Sequence, residues 1–206
     1  MFFWSLRPRV PYSPQTMTRF FAQSLAAFKW LAILVPMAAV TGSASALFLW
    51  MLDAVTLFRF ANPWLLWLLP VGGLAVGWLY HRHGQSANGG NNLLIDEIHQ
   101  PAAGVPRRMA PLILLGTLVT HLCGGSAGRE GTAVQMGGGI AGSFARVLKL
   151  DEAGVRILLM AGVAAGFGSI FGTPIAGTVF ALEVLVIGRM QYDALVPCVI
   201  ASVVAD

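Results

Sequence analysis

The sequence predicts an all-α polytopic membrane protein, and three observations support this fold class. Of its 206 residues, 56% are hydrophobic and only 11% are charged, and the mean hydropathy is +0.72. Long apolar runs alternate with short breaks that are charged or rich in glycine and proline. A bilayer core about 30 Å thick needs about 20 apolar helical residues, and several of these runs meet that length. We therefore expect a multi-pass protein of a cell inner or plasma membrane, surrounded by the lipid bilayer.

The distribution of charge predicts the orientation of the chain. Arg7, Arg9 and Arg19 precede the first acid, Asp53, so the positive-inside rule places the amino terminus in the cytoplasm. Residues 1–16 contain three prolines and are interpreted as a cytoplasmic leader without a signal peptide. The net charge of +4 comes from scattered basic residues, a distribution that argues against nucleic-acid binding.

The first two apolar stretches are expected to form the first spans. The stretch 17–58 is too long for one perpendicular helix, and we interpret it as an approach helix followed by a tilted span. The stretch 62–80 carries Trp64, Trp67 and Trp78, whose amphipathic rings suit the membrane interface.

A polar connection, residues 81–108, follows the second stretch and is expected on the cytoplasmic side. Its His81, His83 and His99 do not have the spacing of a metal site, so they are interpreted as solvated loop residues. The two cysteines, Cys123 and Cys198, also lack such spacing and are interpreted as buried thiols, so neither a metal nor another cofactor is expected.

Two later apolar segments contain glycine and charge where a plain membrane helix would not. The segments are GGSAGREGT (124–132) and GFGSIFGTP (166–174). Backbone without helical hydrogen bonds is tolerated at membrane depth only inside protein or beside a wet cavity, so both segments are expected to interrupt helices along a transport pathway.

Further along the chain, a helix is expected to begin with Thr173 as its N-cap and Pro174 in its first turn, and to run through Glu183 toward Ile187. A final apolar run covers 192–205.

Arg129 and Glu130 are charged residues between two apolar segments, where an unpaired charge costs about 2.5–3.5 kcal/mol or more. One interpretation is that they pair with distant residues and tie helices together. The other is that the surrounding glycines let backbone N–H groups converge on an anion at a helix beginning near Thr132. Deprotonated Glu130 would then occupy the anion's place, and protonation would release it. Arg129 is expected to pair with Glu97 or Asp96, and the alternative is that it contacts the anion.

Enzymatic readings of these segments find little support, and the protein is not expected to be an enzyme. Residues 124–132 lack the lysine of a phosphate-binding P-loop, and 166–172 lack dinucleotide-binding spacing. Ser126 and Ser169 lie in no nucleophile elbow. A hydrolase that uses Glu130 as a base would need a nucleophile or metal that the sequence does not reveal.

At residues 128–132 the sequence resembles a known family. GREGT is similar to the GREGP motif of CLC chloride channels and proton-coupled exchangers, and its spacing to GTPIAGTVFALE (172–183) also fits that family. The resemblance covers roughly 60–206. It implies an inverted-repeat fold with tilted and broken helices, of which 17–206 would be the amino-terminal half. It also implies a homodimer with one pore per subunit that moves halide anions and protons.

The resemblance assigns site residues by position. Glu130 matches the family's external gating glutamate. The residues that flank this glutamate at the family's outer anion site correspond here to Gly128, Arg129, Gly131 and Thr132. The internal motif Gly-Ser-Gly-Ile-Pro aligns with residues 90–94, where Asn91 or Asn92 would offer an amide donor in place of the serine hydroxyl. The alternative is that the two asparagines cap a loop–helix junction.

The departures from the family pattern point to one branch of the family. The inner proton-transfer glutamate falls on Val184, next to Glu183, which is either a secondary acid for protons or a structural hydrogen-bonded acid. With Thr132 in place of proline, these departures resemble the fluoride/proton antiporters, so fluoride is favoured over chloride. A chloride channel or chloride/proton exchanger remains an alternative. A further alternative is a truncated half that transports nothing without a partner, because the family's second half normally supplies another helix N-terminus and a pore tyrosine.

Overall fold

The computed structural model describes residues 14–101, 104–183 and 192–206, and the described ranges contain helices and no strand. The helices are α1 (Pro14–Ala61), α2 (Leu69–His83), α3 (Asn91–His99), α4 (Met109–Leu122), α5 (Arg129–Leu148), α6 (Glu152–Phe171), α7 (Pro174–Glu183) and α8 (Leu195–Ala205). Short 3₁₀ turns cover Pro63–Leu68, Gln85–Ala87 and Tyr192–Ala194. The predicted all-α fold class is confirmed.

The chain divides into two compact units. The first is Met1–Ala32, of which the structure describes the beginning of α1, and the second is Ile33–Asp206. Helix α1 covers the whole stretch 17–58 and contains Pro36, and the expected approach helix followed by a tilted span stays a prediction. A proline removes one backbone donor but does not have to end a helix. The helix begins at Pro14, inside the predicted leader, whose first 13 residues lie outside the described ranges.

Three segments are long and apolar enough to cross a membrane, judged by length and composition. They are Ala27–Ala61, Pro63–His83 and Glu152–Phe171. Trp64, Trp67 and Trp78 lie within the second segment and are 57%, 83% and 64% exposed. Their predicted position at the membrane interface stays a prediction.

Helix α6 lies at the centre of the second unit and packs against α3, α5, α7 and α8. Seven of its side chains are completely inaccessible to solvent: Leu158, Leu159, Met160, Ala161, Val163, Ala164 and Ala165. Its contact with α5 is made by glycines. A methyl group at Gly137 would collide with the Gly162 carbonyl oxygen, and one at Gly166 would collide with the Ala133 carbonyl oxygen. Small residues therefore set the closest approach of the two helices, as in other membrane bundles.

The expected interruption at 166–174 is much shorter than predicted. Helix α6 continues through Gly166 and Gly168 to Phe171. Both glycines serve close packing, since a methyl group at Gly168 would collide with the Ser202 hydroxyl. Only Gly172 and Thr173 lie between α6 and α7.

The beginning of α7 matches the prediction. Gly172 has a φ of 62°, a left-handed conformation that favours glycine and ends α6. Thr173 accepts the first backbone hydrogen bond of α7, from the Gly177 N–H at 3.0 Å, and Pro174 is the first helical residue. Ile187, the predicted end of this helix, lies outside the described residues. The final apolar run forms the last 3₁₀ turn and α8.

Helix α3 lies within the polar connection and is held at its end by Arg156 of α6. The Arg156 Nε donates to the Ile98 carbonyl oxygen at 2.8 Å, and its NH2 group donates to the His99 carbonyl oxygen at 3.2 Å. A cation at a helix C-terminus satisfies unpaired carbonyls and complements the helix dipole. Arg156 therefore fixes the position of α3 against α6.

We expect Arg156→Gln to lower the free energy of unfolding by about 1–3 kcal/mol, because charge-assisted hydrogen bonds to two carbonyls are lost. Thermal unfolding of the detergent-purified chain would measure the change. Arg107→Gln removes the same charge from an exposed residue and serves as control. Equal melting temperatures for the two variants would show that Arg156 does not hold α3.

Candidate functional site

The first turn of α5 presents the Arg129 and Glu130 pair. Helix α4 ends at Leu122, and the break predicted at 124–132 is present, but α5 begins at Arg129 and not near Thr132. Gly128 is the N-cap, with an extended conformation (φ −68°, ψ 125°). The earlier start is favourable because an acid in the first turn complements the positive end of the helix dipole. In an α-helix starting here, the N–H groups of residues 128–131 have no intrahelical acceptor.

The Glu130 carboxylate folds back over the beginning of its own helix. Its Oε2 lies 3.2 Å from the position that a Cβ at Gly128 would occupy, and its Oε1 lies 4.0 Å from the Arg129 Nε. The two side chains are 49% and 51% exposed. The Arg129 guanidinium carbon also lies 5.9 Å from the centre of the Phe171 ring, at the end of α6. A negative charge therefore lies at the N-terminus of α5, accessible from outside the packed helices.

The expected pairing of Arg129 with Glu97 is wrong, because Arg129 begins α5, whereas Glu97 belongs to α3 and lies beside the C-terminal part of α5. Glu97 accepts a hydrogen bond from the Gly104 N–H at 2.9 Å and lines a cavity with Arg146. Arg146 is 17 residues after Arg129, which corresponds to about 25 Å of helix. Asp96, the other suggested partner, is exposed on α3, and the ion pair of Arg129 is formed with Glu130.

The N-terminus of α3 meets the first two turns of α5. The Asn91 Nδ2 lies 3.6 Å from the position that a Cβ at Gly131 would occupy. Gly90 has a φ of +55°, and a Cβ there would lie 3.3 Å from the Gln135 Nε2. Gly131 and Gln135 are four residues apart and therefore share one face of α5. Two segments predicted separately, one around Asn91 and one around Glu130, are brought together.

Asn91 and Asn92 are the first two residues of α3, and neither is its cap. The N-cap is Gly90, and no side chain caps the helix, so the capping alternative is wrong. The Asn92 N–H donates to the Gly89 carbonyl oxygen at 3.0 Å, and both asparagine side chains are exposed. Of the two asparagines, Asn91 is the one whose side chain lies near Gly131.

Thr132 has a packing role that its position in the motif did not predict. Its side chain is 1% exposed, and its Oγ1 lies 2.7 Å from the Thr117 Oγ1 of α4. The same hydroxyl donates to the Gly128 carbonyl oxygen at 3.1 Å. The Thr132 hydroxyl therefore connects the start of α5 to α4 through Thr117. Its role in anion binding stays a prediction.

Gln135 is the residue that the sequence analysis missed. It is half-buried, and its amide lies beside Gly90. The sequence did contain a signal for Gln135: it is a polar residue in an apolar segment, and it lies four residues after Gly131 and therefore on the same helix face. With Asn91, it gives the junction of α3 and α5 two side-chain amides near the Glu130 turn.

Glu183, the possible secondary acid, is the last described residue of α7 and is exposed. Val184, where the family's inner glutamate would stand, lies outside the described residues. A proton role for Glu183 stays a prediction.

Comparison with known proteins agrees with the fold and the motifs. The family model described as "Voltage gated chloride channel" matches residues 72–206. The chain is 58% identical over 178 residues to a "Chloride/fluoride channel protein" of Pseudomonas syringae pv. tomato, covering 86% of this chain and 39% of that protein.

Two solved structures have a similar arrangement of helices. The crystal structure of a CLC-type fluoride/proton antiporter matches with a TM-score of 0.82 and 36% identity, over 87% of this chain and 45% of that one. The structure of a slow cyanobacterial Cl⁻/H⁺ antiporter matches with a TM-score of 0.67 and 25% identity, over 85% of this chain and 46% of that one. The chain thus spans less than half the length of these relatives.

Proposed function

Because the chain belongs to the voltage-gated chloride channel (CLC) family, we propose that it takes part in proton-coupled anion transport with Glu130 as its gate. The observation that supports this role is the position of the Glu130 carboxylate. It lies over the N-terminus of α5, where backbone N–H groups and the helix dipole favour an anion. The amide of Asn91 approaches the same helix turn from α3.

In the proposed mechanism, the ionised Glu130 carboxylate and a permeating halide compete for the same donors. When the carboxylate takes up a proton it loses its charge, and the backbone N–H groups of residues 128–131 become available to the halide. When the halide leaves, the carboxylate releases its proton and returns. Binding of one halide is thereby linked to protonation of Glu130, and release of the halide is linked to loss of that proton. Arg129 supplies a nearby positive charge whether Glu130 is protonated or ionised.

We propose fluoride as the preferred anion, with chloride as the alternative. The 58% identical relative is named a chloride/fluoride channel, and a similar structure is that of a fluoride/proton antiporter. Fluoride is strongly hydrated, so a site for it must replace many water hydrogen bonds. The Asn91 and Gln135 amides each offer two N–H donors, whereas a serine hydroxyl offers one.

Flux measurements in liposomes test both the activity and the anion. The chain would be reconstituted alone, and together with the remaining carboxyl-terminal segment of the Pseudomonas relative, and efflux followed with fluoride, chloride and pH electrodes. We expect fluoride efflux to drive proton uptake and to exceed chloride efflux. Chloride efflux of equal rate would support the chloride alternative. Flux only with the added segment would show that the chain is a half needing a partner, and no proton movement in either preparation would refute proton coupling.

Asn91→Ser is expected to lower the ratio of fluoride to chloride efflux by up to about tenfold, because one donor worth about 0.5–1.5 kcal/mol is lost. The same electrode assay measures the ratio. Asn92→Ser is the matched control, since Asn92 follows Asn91 on α3 but is not the residue near Gly131. An equal change in both variants would contradict the assignment of Asn91.

Assembly and orientation are part of the proposal. Helix α8 exposes Val196, Val199 and Val203, which are 63%, 42% and 58% accessible and lie on one helix face. We propose that this apolar face pairs two copies in the membrane. The basic residues Arg7, Arg9 and Arg19 before the first acid support an amino terminus in the cytoplasm of a cell with an inner membrane. Light scattering of the detergent-purified chain should give the mass of two copies, and a monomer mass would refute the pairing.

A further inference from the structure

A polar cleft of ≈ 440 Å³ lies where α2 ends. It is lined by six exposed residues, all of them polar or basic: His81, Arg82, His83, Gln85, Ser86 and Arg108. No carboxylate lines it. The cleft is separate from the junction of α3 and α5, and neither the gate nor the anion path proposed above uses these side chains.

The lining fits a phosphate group better than a halide. Arg82 and Arg108 each carry a planar guanidinium that can donate two parallel hydrogen bonds to phosphate oxygens. Imidazole, amide and hydroxyl groups from the other lining residues add donors. A single halide ion occupies only a small part of ≈ 440 Å³, whereas a phosphodiester with its attached alcohol can contact both arginines.

An apolar stripe on α2 leads to this cleft. Val71, Leu74 and Trp78 are 60%, 75% and 64% exposed, and their spacing places them along one helix face. Arg82 follows Trp78 by four residues, so the stripe ends at the cleft. The Trp78 ring also lies edge-on to the His83 ring, with centroids 6.4 Å apart. An apolar stripe that ends at a cleft lined by two arginines matches a molecule with hydrocarbon chains and an anionic head.

We propose that this cleft binds the phosphodiester headgroup of an anionic phospholipid, with the acyl chains along the exposed stripe of α2. The segment that contains α2 is long and apolar enough to cross a membrane, and only 11% of its apolar window is buried within the protein, so its surface is open to lipid. Basic pockets at the cytoplasmic ends of membrane helices bind anionic headgroups in this manner. Free phosphate shares the headgroup chemistry but makes no use of the apolar stripe.

Native mass spectrometry of the detergent-purified full chain tests the proposal. Phosphatidylglycerol, phosphatidylcholine and inorganic phosphate would be added separately at equal concentrations. We expect retention of phosphatidylglycerol and little retention of the other two. The double variant Arg82→Gln/Arg108→Gln should retain at least about tenfold less phosphatidylglycerol than the unmodified chain, because two charge-assisted contacts are removed.

The controls separate a defined site from general attraction to positive charge. Arg107→Gln removes the charge next to Arg108 but does not line the cleft, and it should bind phosphatidylglycerol like the unmodified chain. Trp78→Ala should lower lipid retention while leaving the fold intact by circular dichroism. Equal binding of phosphatidylglycerol and phosphatidylcholine, equal binding of inorganic phosphate, or a loss in Arg107→Gln as large as in the double variant would each overturn the proposal.

Discussion

Glu130→Gln is expected to abolish proton coupling while anion flux continues. Glutamine has nearly the shape of glutamate, but it can neither take up a proton nor compete as an anion for the N-terminus of α5. Proton movement driven by a fluoride gradient should fall by at least about a hundredfold, because no other group replaces a removed proton-transfer residue at comparable rate. Anion efflux should stay constant or rise. Simultaneous recording with pH and fluoride electrodes in liposomes measures both quantities.

Glu152→Gln is the matched control for this experiment. Glu152 lies in the first turn of α6, as Glu130 lies in the first turn of α5, and it carries the same charge but lines the cavity near Arg146. Its replacement should leave the ratio of proton to anion flux unchanged. Unchanged coupling in Glu130→Gln would remove the gating assignment, and equal losses in both variants would indicate a general charge effect.

Gly137→Ala is expected to prevent stable packing of α5 on α6. The added methyl group would collide with the Gly162 carbonyl oxygen, and backbone atoms of two packed helices cannot yield as a flexible side chain can. We expect a loss of at least about 3 kcal/mol in the free energy of unfolding, near the upper end for overpacking. A chain of marginal stability would then aggregate. Fluorescence-detected size exclusion of heated, detergent-purified protein measures the effect.

Gly77→Ala provides the comparison for Gly137→Ala. Gly77 is also inside a helix, but a methyl group there meets no atom within 4 Å. Alanine should therefore leave the melting temperature unchanged or raise it slightly, because it is the better helix former by about 1 kcal/mol. Similar melting temperatures for the two variants would show that the α5–α6 contact adjusts to a larger residue.

Local signals in the sequence account for the features of the fold that were predicted correctly. Pro174 after Thr173 defined the start of α7, and the glycines and charges of 124–132 indicated a real break between α4 and α5. The same logic failed at Gly166 and Gly168, because glycine occurs both where helices end and where they pack closely. Only the position of Ala133 and Ser202 opposite these glycines decides between the two roles.

The sequence singles out Glu130, the central residue of the proposed site, but not the residues that lie beside it. Glu130 is conspicuous because a charge in an apolar segment needs a reason. Asn91 lies near Gly131 and Gln135 lies near Gly90, although the members of these pairs are 40 and 45 positions apart in the sequence. The periodicity of a helix relates only residues of that helix, so it could not predict either contact. The expected Arg129–Glu97 pair failed for the same reason, since charge alone does not reveal that Glu97 on α3 lies beside the C-terminal part of α5, far from Arg129 at its start.

The glycine contact between α5 and α6 also limits how the proposed gate at Glu130 can move. With the Gly162 and Ala133 carbonyl oxygens directly against Gly137 and Gly166, the two helices cannot slide past one another without separating. The backbone of α5 that carries Glu130 is therefore held in place, and we expect the opening step to be a rotation of the Glu130 side chain about its own bonds. Such a step is small and fast compared with helix rearrangement, so anion exchange at Glu130 should involve a local rotamer change while the helices keep their places.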